Sequence, residues 1–304
     1  MKFPRPTLVL IILCVFLFAI NGYIFLQAIE HAWLYYTPSL NYASVFSSYY
    51  DSAWALIHNP SNVYGHHNFP VAHSQDFRYP PWFLLFVLPF LSLPFPLAQD
   101  SFELLQFLLL PLIALLVFKI IRPSNKMEFL LTAIVLFFTL LEPLIGTTFS
   151  IGVGSPYFQQ YTEGQSKVLE LFFILAALYL AKKGSILAPI LLVLGAFDPR
   201  FTVMALPLFL YFFIKSRSFS KLVFGTFFSV LIAVPFAYYN GVLGQFLRFH
   251  QYAILTFYTY EWVLFYPILA LSLAILLKEV NEKYRIDRHV TRIVRSNPAR
   301  VSGR

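Results

Sequence analysis

Residues 182–217 read KKGSILAPILLVLGAFDPRFTVMALPLFLYFFIKSR, an apolar stretch with basic residues at both ends. Basic residues gather on the cytoplasmic side of a membrane. A segment flanked by them on both sides must cross twice or not at all. Each half is only about 15 residues, short of the roughly 20 that a span needs. FDPRF, at 197–201, interrupts the run in its middle. The stretch therefore predicts a short helical hairpin over 186–214, with its Asp198-Pro199-Arg200 tip tucked toward the outer half of the bilayer.

The same rule orders the rest of the chain. Of its 304 residues 59% are hydrophobic and only 12% charged, against about 25% charged in a soluble domain. Mean hydropathy is +0.69. These values place the chain among all-α polytopic membrane proteins. Aromatics make up 19% of it, which suits lipid-facing helices and aromatic-rich interfaces. Lys2 and Arg5 put the N-terminus in the cytoplasm, and 7–28 reads as a retained outward span. Further apolar segments lie at 102–121, 128–145, 168–181, 186–197, 201–214, 222–239 and 262–277. Basic clusters follow at Lys119/Arg122/Lys126, Lys182/Lys183, Lys215/Arg217/Lys221 and along the tail from Lys278 to Arg304.

About eight crossings put every cluster inside, provided that 80–96 does not span. That segment opens with Pro80-Pro81 and holds Pro89, Pro94 and Pro96, so a re-entrant or interfacial helix is expected. The organisation is one membrane domain over 1–278, with an outer loop at 30–79, and a basic cytoplasmic tail over 279–304. Both termini are expected in the cytoplasm of a cell-membrane protein. The tail's net positive charge suits anionic lipid heads better than nucleic acid. The lone Cys14 excludes an internal disulfide framework.

This topology leaves Asp51, Asp76, Arg78, Glu163, Lys167, Asp198, Arg200, Arg248 and Glu261 on the outer side. Ionisable groups near membrane depth are costly and usually face a cavity. Residues 42–58 carry helical periodicity, with Phe46, Tyr49, Tyr50, Ala53 and Trp54 on one face and Ser47, Ser48 and Asp51 on the other. An interfacial helix is expected there, with Asp51 turned from lipid as either a solvated side chain or a working carboxylate. His66, His67, His73 and Asp76 match no zinc spacing, so neither a metal nor another cofactor is expected. Arg78 and Tyr79 precede the double proline, and Arg78 serves either as an interface anchor or as a phosphate clamp. Arg200 pairs either with Asp198 or with a lipid phosphate. Arg248 and His250 sit among aromatics in FLRFHQY, 246–252. YTEGQSK, 161–167, crowds Glu163, Gln165 and Lys167 at the mouth of an apolar helix.

FRYPPWFLLFVLPFLSLP, then EGQSK opening an apolar helix, then the hairpin with its polar tip, together resemble glycosyltransferase family 87. That family comprises polyprenyl-phosphate-mannose-dependent mannosyltransferases of the GT-C superfamily. The resemblance covers roughly 40–220. Tyr79-Pro80-Pro81 matches its aromatic-Pro-Pro box, Gly164-Gln165 its Gly-Gln box, and 186–214 its hairpin. Two positions depart from the family. Val45 stands where the first-loop helix usually carries an acid, and the tip reads Asp198-Pro199 with Arg200 next, where Lys-Pro is usual.

The resemblance implies a GT-C-like bundle that moves a sugar, mannose in this family, from a polyprenyl-phosphate donor to a glycan or glycolipid acceptor at the outer face. Asp51 is then the candidate base. Arg200, with Arg248 or Lys167, would hold the departing phosphate. Glu163, Gln165, Tyr79, Asp198 and His250 would contact the sugar or orient the cations. The rival expectation is a degenerate relative that binds a lipid-linked sugar or serves as a subunit. A transporter would call for an internal repeat, and the sequence presents no convincing one.

Overall fold

A computed structural model describes residues 5–35, 45–65, 77, 79–145, 166–197, 199–253 and 266–296. Among them the chain is all-helical, without strands. The helices are α1 (Arg5–Tyr35), α2 (Val45–His58), α3 (Phe95–Ile121), α4 (Lys126–Ile145) and α5 (Lys167–Lys182). They continue as α6 (Leu187–Leu194), α7 (Pro199–Lys215), α8 (Phe219–Tyr238), α9 (Val242–Ala253) and α10 (Tyr266–Ser296). Among the described residues three stretches are long and apolar enough to cross a membrane: Thr7–Gln27, Phe95–Ile121 and Phe219–Tyr238. Their outward faces are hydrocarbon. Leu8, Ile12, Val15 and Phe16 of α1 and Phe224, Phe227 and Val230 of α8 are exposed, as a lipid-facing surface requires.

Most of the expected segments appear as helices with shifted ends. The helix expected at 102 starts instead at Phe95, because Pro96 fits its first turn. Gln99 is buried against protein, so hydropathy alone cut this helix short. The proline-rich stretch 80–96 is not one helix, and its last two residues open α3. It forms two 3-10 turns, Pro81–Phe86 and Leu88–Ser92, that lead into α3. Helix α1 runs to Tyr35, so the first part of the expected 30–79 loop is helical. Helix α10 passes residue 279 without a break, and the expected tail begins inside it.

Helices α3 and α5 pack together at the centre. Helix α4 covers the other side of α3 and also carries α1 and α10. Asn21 ties α1 to α4 by donating to the Leu140 carbonyl at 3.0 Å while also capping Leu17 at 2.9 Å. The two arms of the hairpin, α6 and α7, both lean on α5, and α8 packs on α6. Two glycines permit these approaches. A Cβ on Gly195 would lie 2.4 Å from the Phe173 Cβ of α5, and one on Gly225 would lie 2.5 Å from the Ile186 carbonyl oxygen. Small residues at membrane-helix contacts let backbones come this close.

The basic ends of α3, α5 and α7 gather with the middle of α10. Lys182 donates to the Ile120 carbonyl. Lys278 donates to the carbonyls of Ile121 at 2.8 Å and Arg122 at 2.9 Å. Two lysines from other helices thus satisfy the orphan carbonyls that end α3.

Candidate functional site

Helix α2 forms where periodicity predicts it, but protein covers both of its faces. Phe46, Tyr49 and Ala53 are buried, and so are Ser47, Ser48, Asp51 and Ser52. Three side-chain hydrogen bonds to backbone lock the surrounding loops. Tyr50 donates to the Leu93 carbonyl at 2.8 Å, Ser52 to that of Val63 at 3.0 Å, and Tyr64 to that of Tyr79 at 2.8 Å. These bonds tie α2 to the end of the proline stretch and tie the 60–64 turn to the aromatic-Pro-Pro box.

Tyr49 is the hub of an aromatic knot. Its ring meets Phe83 at 4.7 Å, Tyr79 at 5.2 Å and Phe102 at 6.2 Å, all edge-on. Tyr79 stacks on Phe83 at 5.0 Å. Phe83 meets Phe197 at 4.7 Å, and Phe197 also meets Phe173 of α5 at 6.1 Å. Aromatic pairs at these separations and angles contribute beyond their buried area. The knot therefore joins α2, the Pro-Pro box, the body of α5 and the residue just ahead of the hairpin tip.

A polar cluster sits inside this knot. The Tyr49 hydroxyl lies within electrostatic reach of the Tyr79 and Ser166 hydroxyls and the Glu170 carboxylate. Burial pushes the Tyr49 phenol well above its ordinary range, and Tyr79 pushes it the same way. Tyr49 is thus a permanent hydrogen-bond donor. Tyr49 Oη and Ser166 Oγ are both buried, and neither completes a hydrogen bond of good geometry. Ser166 is the N-cap residue of α5, Lys167 its first residue, and Glu170 stands in its first turn. All three are buried. A cation at a helix N-terminus opposes the helix dipole, and Glu170, one turn on, lies on the same face as Lys167. The next orphan donor of that turn, Leu169 N–H, reaches Gln106 Oε1 of α3 at 3.4 Å. Gln106 belongs to a buried stripe on α3 in which Gln99 donates to Glu103 at 2.9 Å.

The expected site residues fall into three groups. Asp51, Tyr79 and Lys167 belong to the elements that converge here. Asp51 is fully buried, but two residues from Tyr49 means roughly 200° around the helix, so acid and phenol face opposite sides of α2. Arg248 lies on α9, which reaches this end of the molecule through the Gln245 donation to the Pro60 carbonyl at 2.9 Å and the Phe246–Tyr64 contact at 5.8 Å. Arg248 itself is exposed, so it is not among the buried groups. Arg200 and His250 are placed only as backbone, in α7 and α9. Arg78, Glu163, Gln165 and Asp198 lie outside the described residues, as do His66, His67, His73, Asp76 and Glu261. Tyr49, Ser166, Glu170, Glu103 and Gln106 were not among the expected site residues. The spacing of Glu170 from Lys167, and of Gln99, Glu103 and Gln106 from one another, could have flagged all but Tyr49 and Ser166.

No family model, curated protein or solved structure matches the chain.

Proposed function

We propose that the protein is a membrane glycosyltransferase that moves a sugar, mannose by resemblance, from a polyprenyl-phosphate carrier to a glycan or glycolipid at the outer face. The observation that carries this reading is the convergence at the Tyr49 knot. Tyr79 of the Pro-Pro box, Ser166 beside the Gly-Gln box and Phe197 beside the hairpin tip come from separate stretches, yet meet at one buried polar cluster. Structural packing alone has no need of a buried acid, a buried lysine and two hydroxyls lacking good hydrogen bonds at one place.

In the proposed step the acceptor hydroxyl oxygen bonds to the anomeric carbon. The bond from that carbon to the carrier phosphate oxygen breaks, and its electron pair leaves with the phosphate. The hydroxyl proton passes to the Asp51 carboxylate. Lys167 and Arg200 neutralise the departing phosphate. Eight crossings by α1, α3, α4, α5, α6, α7, α8 and α10 complete the reading, with the termini in the cytoplasm. The gathering of Arg122, Lys182, Lys215 and Lys278 at one end supports that count. In intact cells a cysteine placed at Ser124 on a Cys14→Ser background should resist an impermeant outside reagent. Labelling there would overturn the topology.

Turnover of a radiolabelled polyprenyl-phosphate sugar by protein reconstituted in liposomes tests the activity. Asp51→Asn should lower turnover by about 10² to 10⁴ while leaving carrier binding intact. Unchanged turnover in Asp51→Asn with a collapse in Glu170→Gln would move the base to Glu170. Val45 at the family's acid position favours the second reading, a degenerate lipid-linked-sugar binder or subunit. Carrier binding without turnover in the unmodified protein would select it.

A further inference from the structure

At the end of the bundle away from the Tyr49 knot lies a cavity of about 290 Å³. Among the described residues Arg122, Lys182 and Lys215, from the ends of α3, α5 and α7, and Lys278, from the middle of α10, line it against Glu279 and Glu282. Lys215 pairs with Glu279, and Lys278 lies 3.2 Å from the buried Glu128 of α4 and 3.9 Å from Glu282. Lys119 and Lys183 stand beside it over the Tyr179 ring, at 5.9 and 4.4 Å. Among the described residues four cations thus line the concavity against two carboxylates, with Lys119 and Lys183 close by and Glu128 behind Lys278. Convergent cations suit the three oxygens of a phosphate.

We propose that this cavity binds a phosphate group, carried either by a lipid headgroup or by a small phosphorylated solute. The site is independent of the glycosyltransferase reading. Burial, followed by the positive charge of Lys278, Arg122 and Lys215, brings Lys182 down to about 8. That is the imprint of a field that an anion would relieve. Ile120, Ile121, Phe212 and Ile275 form the apolar part of the wall, against which an acyl chain could lie beneath a lipid headgroup.

Arg122 offers a clean test. It ends α3 in the left-handed region at φ 49°, where glycine is the favoured residue. Arg122→Gly therefore removes a cation while relaxing the backbone. Full-length protein in detergent would be titrated with inorganic phosphate and with short-chain phosphatidylglycerol. Protein in nanodiscs would be assayed for retained phosphatidylglycerol over phosphatidylcholine. Binding should weaken about tenfold or more in Arg122→Gly and in Lys182→Gln. It should persist in Lys221→Gln, which alters an exposed lysine of α8 outside the cavity. Binding of the lipid but not inorganic phosphate identifies a headgroup site, and binding of both identifies a phosphate site open to solutes. If no probe binds the unmodified protein, or if a folded Arg122→Gly protein binds as tightly as the unmodified one, the proposal fails.

Discussion

The two ends of the bundle are built on opposite plans. At one end Tyr49, Phe83 and Phe197 enclose single, deeply buried polar groups from stretches far apart in the chain. At the other, three lysines and one arginine from four helices stand around a cavity, and the Lys215–Glu279 pair is 52% and 36% exposed. The first plan makes every group expensive to remove and hard to replace. The second makes each group individually cheap, because solvent screens exposed pairs. A chemical centre suits the first plan, and an electrostatic seat for an exchangeable anion suits the second.

The sharpest way to break this contrast is to truncate its two hubs. Tyr49→Ala should cost about 3 to 5 kcal/mol in equilibrium unfolding, the usual range for a fully enclosed aromatic. Lys215→Ala should cost at most about 1 kcal/mol. Equal costs would show that the ends are not built differently. Helix contacts come next. Gly225→Ala forces a methyl toward the Ile186 carbonyl and the Pro189 ring and should cost about 1 to 3 kcal/mol. A smaller refinement separates ring from hydroxyl. Tyr49→Phe should change unfolding by less than about 1 kcal/mol, since Oη lacks a well-formed hydrogen bond. Turnover should nevertheless fall if that hydroxyl meets the sugar. A stable Tyr49→Phe protein with full turnover would remove Tyr49 from the chemistry.

The gentlest probe is pH. Lys182 falls to about 8 in the folded chain from its ordinary 10.5. Between those values the unfolded chain binds more protons, so folded stability gains as pH rises from about 8 toward 10.5. Below pH 8 the lysine is charged in both states and its penalty is full. Comparing melting of the unmodified protein with Lys182→Gln across pH 7 to 10 should show the difference moving in favour of the unmodified protein. A flat difference would mean that the cations around Lys182 do not press on it.

The same contrast explains what the sequence could reveal. The basic clusters are local in the chain, and their partners are other clusters of the same kind. Counting them foresaw that Arg122, Lys182, Lys215 and Lys278 would share one end. Helix existence was legible too, because long apolar runs speak for themselves. The start of α3 was not, since Gln99, Asp100 and Ser101 depress hydropathy ahead of residue 102, although Gln99 faces protein. At the candidate site the sequence pointed to Asp51, Tyr79 and Lys167 because charge and proline boxes are conspicuous. Tyr49 read as one aromatic among many on an apolar face. Its role depends on neighbours at 79, 83, 102 and 166, and no periodicity within α2 encodes those. Ser166 was inconspicuous for the same reason. Arg248 looked like a site cation because of its aromatic company, but Phe246 turns inward to Tyr64 while Arg248 is exposed.

The knot also has a consequence for how the chain is made. Synthesis runs from the N-terminus, and α2 emerges long before α5 and the hairpin. Until Ser166 and Phe197 leave the ribosome, Tyr49 lacks the part of its covering that α5 and the hairpin supply, and Gln106 lacks the Leu169 N–H that it meets. The early helices therefore carry buried-to-be polar groups before their covering exists. A nascent chain stalled before residue 166 should expose the 45–65 region to protease, and one stalled well beyond residue 215 should protect it. Closure of the Tyr49 knot thus waits for α5 and the hairpin, and a chain that stops before residue 166 cannot form it.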